Sequence, residues 1–278
     1  MQASPPRTSD DDDVGGTNMF ARDPDDLDCV DMQSKETRSH YRQCQKCWKR
    51  KADGVRLMVC SSCKITSYCS TSCQKADWRF HKEACKSNRD YREAMARQDE
   101  LERLESHISG TRPRPSSLEV NQEMGEFLKR FRPVICQASY RCFGVQQGNS
   151  DAWRHNVFVL TVERIENPPR DSKPWARYRV QDAKAVPVAT LLRTLGEDAL
   201  SPTLKQGEVY HEENVRVGCV GTIMTFLECV STGHQIRLVS WAGYGPEAWD
   251  DDVPCPDWKA SLKNAVEKVS SKGMQPNK

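Results

Sequence analysis

Apolar residues recur at three- and four-residue steps once the chain passes residue 118. Val120, Met124, Phe127, Leu128, Phe131 and Ile135 fall on one side of an amphipathic helix, bent or ended near Pro133. The period then shortens. Residues 156–165 (Asn-Val-Phe-Val-Leu-Thr-Val-Glu-Arg-Ile) and 176–182 predict strands, and Pro187 suits the first turn of a helix through Leu191, Leu192 and Leu195. Residues 215–230 and 235–241 predict two further strands joined at 231–234 as a hairpin. A closing helix covers 258–269 and ends at Gly273. These elements make residues 118–270 an α+β domain large enough to bury its own core, with no internal repeat.

Upstream the pattern is thinner. Residues 87–109 form a polar helical arm with a narrow stripe of Tyr91, Ala94, Met95, Leu101, Leu104 and Ile108. A coiled-coil seam is disfavoured there, because Gln98 and Glu105 interrupt a short repeat. Gly110-Thr-Arg-Pro-Arg-Pro-Ser-Ser117 reads as a linker, residues 110–117. Residues 1–39 hold four Lys/Arg against ten Asp/Glu, a net of −6, with few large apolar groups, and are expected to be a disordered acidic tail. Residues 271–278 are expected to be a second disordered tail. Residues 40–115 carry the opposite bias, seventeen Lys/Arg against nine Asp/Glu, a net of +8.

No apolar run approaches the roughly 20 residues that span a bilayer, and the N-terminal residues lack the apolar core of a secretory signal. An intracellular protein of the nucleus or cytoplasm, with no membrane partner, is the expectation. In that reducing setting thirteen cysteines point to metal and not to disulfides.

Eight of the metal-binding side chains lie in one stretch, residues 40–86. They come as four pairs: Cys44-x2-Cys47, Cys60-x2-Cys63, Cys69-x3-Cys73 and His81-x3-Cys85. Two intervening residues let a tight turn aim both sulfurs at one metal, and three place both ligands one helical turn apart. Two tetrahedral sites need eight ligands, so the cofactor is two Zn2+. With every position filled by protein, such zincs are structural, and they supply folding energy that Val55, Leu57, Met58, Val59, Ile65, Tyr68, Trp78 and Phe80 cannot. Cys29, Cys136, Cys142, Cys219, Cys229 and Cys255 stand outside the pattern and read as small apolar side chains. Spacing alone leaves a RING or PHD cross-brace open.

The order of ligands, with the histidine seventh, and the run Tyr68-Cys69-Ser-Thr-Ser-Cys73-Gln74-Lys-Ala-Asp77-Trp78-Arg-Phe-His81-Lys-Glu-Ala-Cys85 resemble a MYND-type zinc finger. The resemblance implies a small cross-brace finger, mostly loop with a short helix. It implies that Cys44, Cys47, Cys69 and Cys73 hold one zinc, and that Cys60, Cys63, His81 and Cys85 hold the other. It further implies an interaction module that binds short Pro- and Leu-containing peptides of partner proteins, with Ser61, Gln74 and Trp78 at the groove. The alternative for Trp78 and Gln74 is structural: the indole plugs the finger's core and the amide begins its helix.

Three rivals to an adaptor arise. Nucleic-acid binding rests on Lys49-Arg50-Lys51 and the +8, part of which neutralises thiolate centres of formal −2 and −1. A SET methyltransferase, known beside some MYND fingers, needs an Asn-His-x-Cys-x-Pro-Asn-like run and a Gly-x-Gly loop. Arg154-His155-Asn156 lacks the cysteine and proline, and Gly243-Tyr-Gly245 lies at the wrong end. An unrecognised enzyme in residues 118–258 finds only His155, His211 and His234, well separated and without a nucleophile motif. The expected function is a non-enzymatic zinc-finger adaptor that recruits a partner protein, with a role in transcriptional regulation among the expectations.

Overall fold

The computed structural model describes residues 35–111, 114–145, 152–216, 218–230, 236–245 and 257–274. A short helix α1 (Lys35–His40) leads into the cysteine-rich stretch, whose only paired strands are β1 (Met58–Val59) and β2 (Ser67–Tyr68), antiparallel. Helix α2 (Thr71–Ser109) and helix α3 (Ser117–Cys142) follow. A one-turn helix α4 (Ala152–His155) precedes strand β3 (Asn156–Arg164), strand β4 (Tyr178–Pro187), helix α5 (Val188–Leu195) and helix α6 (Glu197–Arg216). Strands β5 (Gly221–Cys229) and β6 (Ile236–Tyr244) and helix α7 (Trp258–Gly273) complete the chain.

The four long strands form one mixed sheet in the order β4-β3-β5-β6, with β3 and β5 parallel at its centre. Both central strands are nearly continuous runs of buried residues, as strands covered on two faces require. Their alternate side chains sort accordingly. Phe158, Leu160, Val162, Ile223 and Leu227 pack with Val120, Met124, Phe127 and Phe131 of α3 and with Leu262 and Val266 of α7. Val157, Val159, Met224 and Phe226 pack on the other face with Leu191 of α5 and Leu200 of α6. The free edge of β6 is covered from α3, where Arg132 donates to the Trp241 carbonyl at 2.7 Å and Tyr140 to the Gly243 carbonyl at 3.3 Å. The β4 edge instead carries Arg179, Gln181, Asp182 and Lys184, charges and polar groups that discourage pairing with another strand.

Helices and sheet in residues 118–270 agree with the expected α+β class, and several boundaries move. The finger's helix and the arm are one 39-residue helix, α2, with no break at residue 87. Ser70 starts it by accepting the Cys73 N–H at 3.1 Å, and Gly110 in the left-handed region ends it. Helix α3 neither stops nor breaks at Pro133; the proline and its neighbours Val134, Ile135 and Ala138 are buried in the core, which outweighs one lost backbone bond. The strand predicted over 215–230 is two elements, the end of α6 and β5. The strand predicted over 176–182 starts two residues later and runs on to Pro187. Helix α6 itself has no counterpart among the predicted elements, because Pro202 and Gly207 interrupt its pattern. Residues 35–39, assigned to the acidic tail, lie in α1, and residues 271–273, assigned to the last tail, lie in α7. Residues 1–34, the 231–234 turn and residues 275–278 are outside the described residues. Among the described residues no helix is long and apolar enough to cross a membrane.

Candidate metal centre and the face beside it

Both Cys-x2-Cys pairs sit in the same backbone device. Trp48 and Lys64, the residues following Cys47 and Cys63, have φ of 63° and 60°. Their N–H groups each donate 3.0 Å back to the carbonyl of the first cysteine, Cys44 and Cys60. A left-handed residue with a side chain costs about 1 kcal/mol, so something must hold each loop in place. The turn brings two sulfurs together and aims backbone N–H groups at them.

The eight predicted side chains gather into two groups, Cys44, Cys47, Cys69, Cys73 and Cys60, Cys63, His81, Cys85, with ligand atoms within 4.8 Å of one another in each. Individual separations are 3.4 Å for Cys47–Cys69, 3.5 Å for Cys69–Cys73, 3.9 Å for Cys60–Cys85 and 3.6 Å from Cys63 Sγ to His81 Nε2. Two sulfurs bound about 2.3 Å from one zinc stand about 3.8 Å apart. Sulfurs at 3.4–3.9 Å are far too distant for disulfides, and all of these cysteines are free thiols. The interleaving is a cross-brace: the first and third pairs share one site, the second and fourth the other. Among the described residues no other group of three His, Cys, Asp or Glu is so arranged.

The charges these side chains carry ask for a cation among them. Burial works against the Cys44 and Cys63 thiolates, yet N–H groups around Cys44 and the His81 ring with nearby amides around Cys63 bring them down to about 7 and about 6. Cys69, hydrogen-bonded to Cys47 and Cys73, is instead pushed up to about 12. Four sulfurs so close cannot all ionise unless positive charge lies among them. The donor sets, four sulfurs in one group and three sulfurs with an imidazole nitrogen in the other, suit Zn2+. When bound, the zincs supply cross-links and no open coordination position for chemistry.

Two supports had no signal in the ligand spacing. Thr66 Oγ1 lies 3.4 Å from His81 Nδ1 and fixes which ring nitrogen faces the cysteines. Tyr68, buried beneath the metal groups, donates to Asp77 at 2.7 Å and sets its ring edge-on to His81. Tyr68, and not Trp78, fills the finger's small core.

Trp78 is 44% exposed, one turn from Gln74 on α2. Gln74 Nε2 donates to Cys60 Sγ at 3.6 Å, which places it beside the exposed Ser61. Gln74 thus braces a metal ligand, while Ser61 and Trp78 are both exposed. The opposite flank of the finger rests on α6: Gln45, Asp77, Phe80 and His81 face Val209, Tyr210 and Glu213 across a narrow cleft, closed at one end by Lys46 and Glu213 at 3.9 Å.

Among the described residues the remaining candidates form no further metal-ligating group. His155 is exposed at the end of α4, and His211 lies on α6, its pKa lowered by burial and by Arg154; His234 is outside the described residues. Cys136 and Cys229 are buried in the sheet core, Cys142 and Cys219 are partly buried and not in disulfides, and Cys29 and Cys255 are outside the described residues.

Comparison with known proteins converges on the same stretch. Residues 42–85 match the family model described as MYND finger. The SET domain and MYND-type zinc finger protein 6 of Schizosaccharomyces pombe is 45% identical over 58 residues, 21% of this chain and 11% of that protein. A SET and MYND domain-containing protein of Dictyostelium discoideum is 46% identical over 50 residues, 17% of this chain and 9% of the relative. The MYND-type zinc finger protein samB of Aspergillus clavatus is 38% identical over 65 residues, 21% and 11% of the two chains. The chain therefore spans about a tenth of the length of these relatives. No solved structure matches it. With two cross-braced ligand groups and this family match, residues 42–85 are a MYND finger, a zinc-binding module of the protein-interaction kind.

Proposed function

We propose that the finger recruits a partner protein by holding a short Pro- and Leu-containing peptide across Ser61, Gln74 and Trp78, and that this recruitment serves transcriptional regulation. The observation that carries the reading is the 44% exposure of Trp78, a large apolar side chain left open one turn from the buried metal ligand His81. An indole left open beside a side-chain amide offers apolar contact and paired hydrogen bonding to an extended peptide. Zinc ligation by thiolates also favours a reducing compartment, nucleus or cytoplasm.

The role is an adaptor's and not a methyltransferase's. The SET-bearing relatives share only the finger with this chain. Residues 118–258 contain no Asn-His-x-Cys-x-Pro-Asn-like run, and Gly243-Tyr244-Gly245 closes β6.

The test is a comparative capture from cell lysate by the full chain and by Trp78→Ala, with zinc content verified in both. Trp78→Ala is preferred to Gln74→Ala, since Gln74 donates to a metal ligand. Specific proteins lost from the Trp78→Ala capture are expected; two identical captures would sink the groove.

A further inference from the structure

Lys75, Arg79, Lys82, Lys86 and Arg89 follow one another along α2 at steps of four, three, four and three. That spacing sets all five on one face of the helix, over about 21 Å. All five are exposed. Arg89 is paired with Asp90 at 3.2 Å and Glu93 at 3.7 Å, and Arg79 stacks 4.4 Å from the Phe80 ring. Lys75, Lys82 and Lys86 have no carboxylate partner among the described residues. Of the two acids between 71 and 89, Asp77 is buried and bound by Tyr68, which leaves Glu83.

This pattern is costly within the helix and is not repeated further along it. Like charges three or four apart repel, and the first turn of α2 has no acid to offset them. The second half is internally balanced, with Arg103 on Glu100 at 2.7 Å and Gln98 on Glu102 at 2.8 Å. The thiolate centres do not absorb the excess: allowing them three negative charges leaves residues 40–115 at about +5. A cationic face whose three lysines lack carboxylate partners among the described residues calls for an anion from outside the finger.

The nearest polyanion in the sequence is the chain's own. Residues 10–31 hold nine aspartates and one arginine. They lie outside the described residues and join the finger through α1, which packs against the Lys51–Asp53 turn and α3. The seven residues from Asp28 to the start of α1 reach about 25 Å, more than the length of the stripe. Tethering of this kind gives an effective concentration of order millimolar.

We propose that the basic stripe of α2 is the docking surface of residues 10–31, an intramolecular acidic ligand that shields the finger from other polyanions. The stripe borders the peptide groove, since Trp78 lies three residues from Lys75 and four from Lys82, but the contact rests on charge and does not need the Trp78 ring.

The test is zero-length carbodiimide cross-linking of the full chain, which joins amines only to carboxylates in contact. An equal mixture of isotopically light and heavy chain is read by mass spectrometry. Links from Lys75, Lys82 and Lys86 to aspartates of residues 10–31 are expected within single chains, in Trp78→Ala as in the wild type. They should fall about tenfold in 0.5 M NaCl, where the screening length is about 4 Å. Absence of these links, links between light and heavy chains, or links no more frequent than those of Lys205 and Lys263 would overturn the proposal. A chain with the nine aspartates of residues 10–31 changed to asparagine should bind a labelled random-sequence DNA duplex about tenfold more tightly than the wild type at about 50 mM NaCl. Equal affinity would mean that the stripe already stands open to nucleic acid, and the proposal fails.

Discussion

Glu123 is the clearest case of a residue whose role its sequence neighbours conceal. It is buried on α3 among core apolar groups, and its carboxylate accepts from Arg164 at 2.8 Å, from Arg177 at 2.5 Å and from Tyr178 at 2.8 Å. Burial opposes its charge, but these donors win and hold the carboxyl below its ordinary 4.5. A carboxyl lowered in the folded state stabilises above its ordinary value, and that stability is lost as pH falls through the lowered value. Glu123→Gln leaves two largely buried guanidinium groups short of charge and should cost about 3 kcal/mol at pH 7. Urea unfolding is expected to show that difference shrinking below pH 4.5; a difference independent of pH would refute the assignment. None of this is legible in the sequence, because the partners lie 41 to 55 residues away. The zinc ligands are legible for the opposite reason: their chemistry is carried by residue type and by spacings of two and three, which survive without knowledge of the fold.

Elements are legible where one period runs uninterrupted. Strands β3 and β5 and helices α3 and α7 follow their apolar patterns, whereas α6 hides behind Pro202 and Gly207. The glycine has a packing reason. A Cβ built on Gly207 would lie 2.1 Å from the Trp241 ring, so α6 can approach β6 only without a side chain there. Gly125, within α3, has nothing within 4 Å of the same position. Gly207→Ala should therefore destabilise by about 1–3 kcal/mol through overpacking, while Gly125→Ala should stabilise by about 0.5–1 kcal/mol through helix propensity. Thermal unfolding of both reads the contrast; equal shifts of one sign would contradict this packing. The continuity of α2 is equally hidden, since the residues that tie it down act at a distance. Asp99 accepts from the Ser117 and Leu118 N–H groups at 2.6 and 3.0 Å and so caps the next helix.

On the scale of the whole molecule the finger is a docked part and not a bead on a string. Tyr210 on α6 lines the cleft against the finger and lies 6.1 Å from the Trp241 ring on the sheet, so one helix bridges metal module and core. That docking covers the flank of Asp77, Phe80 and His81 and leaves Ser61, Gln74, Trp78 and the basic stripe facing outward. The sheet has its own two-sided core, and the finger's few buried residues are mostly its ligands and Tyr68. The finger's order should thus depend on metal while the sheet's does not. Native mass spectrometry of the purified full chain, wild type and His81→Ala, tests this most directly, with near-UV circular dichroism as the check on the core. Two zinc ions per wild-type chain, fewer than two in His81→Ala, and a sheet core still folded are the predicted result. A wild-type chain without zinc and with its cysteines in disulfides, or a His81→Ala chain that keeps both ions, would contradict the account.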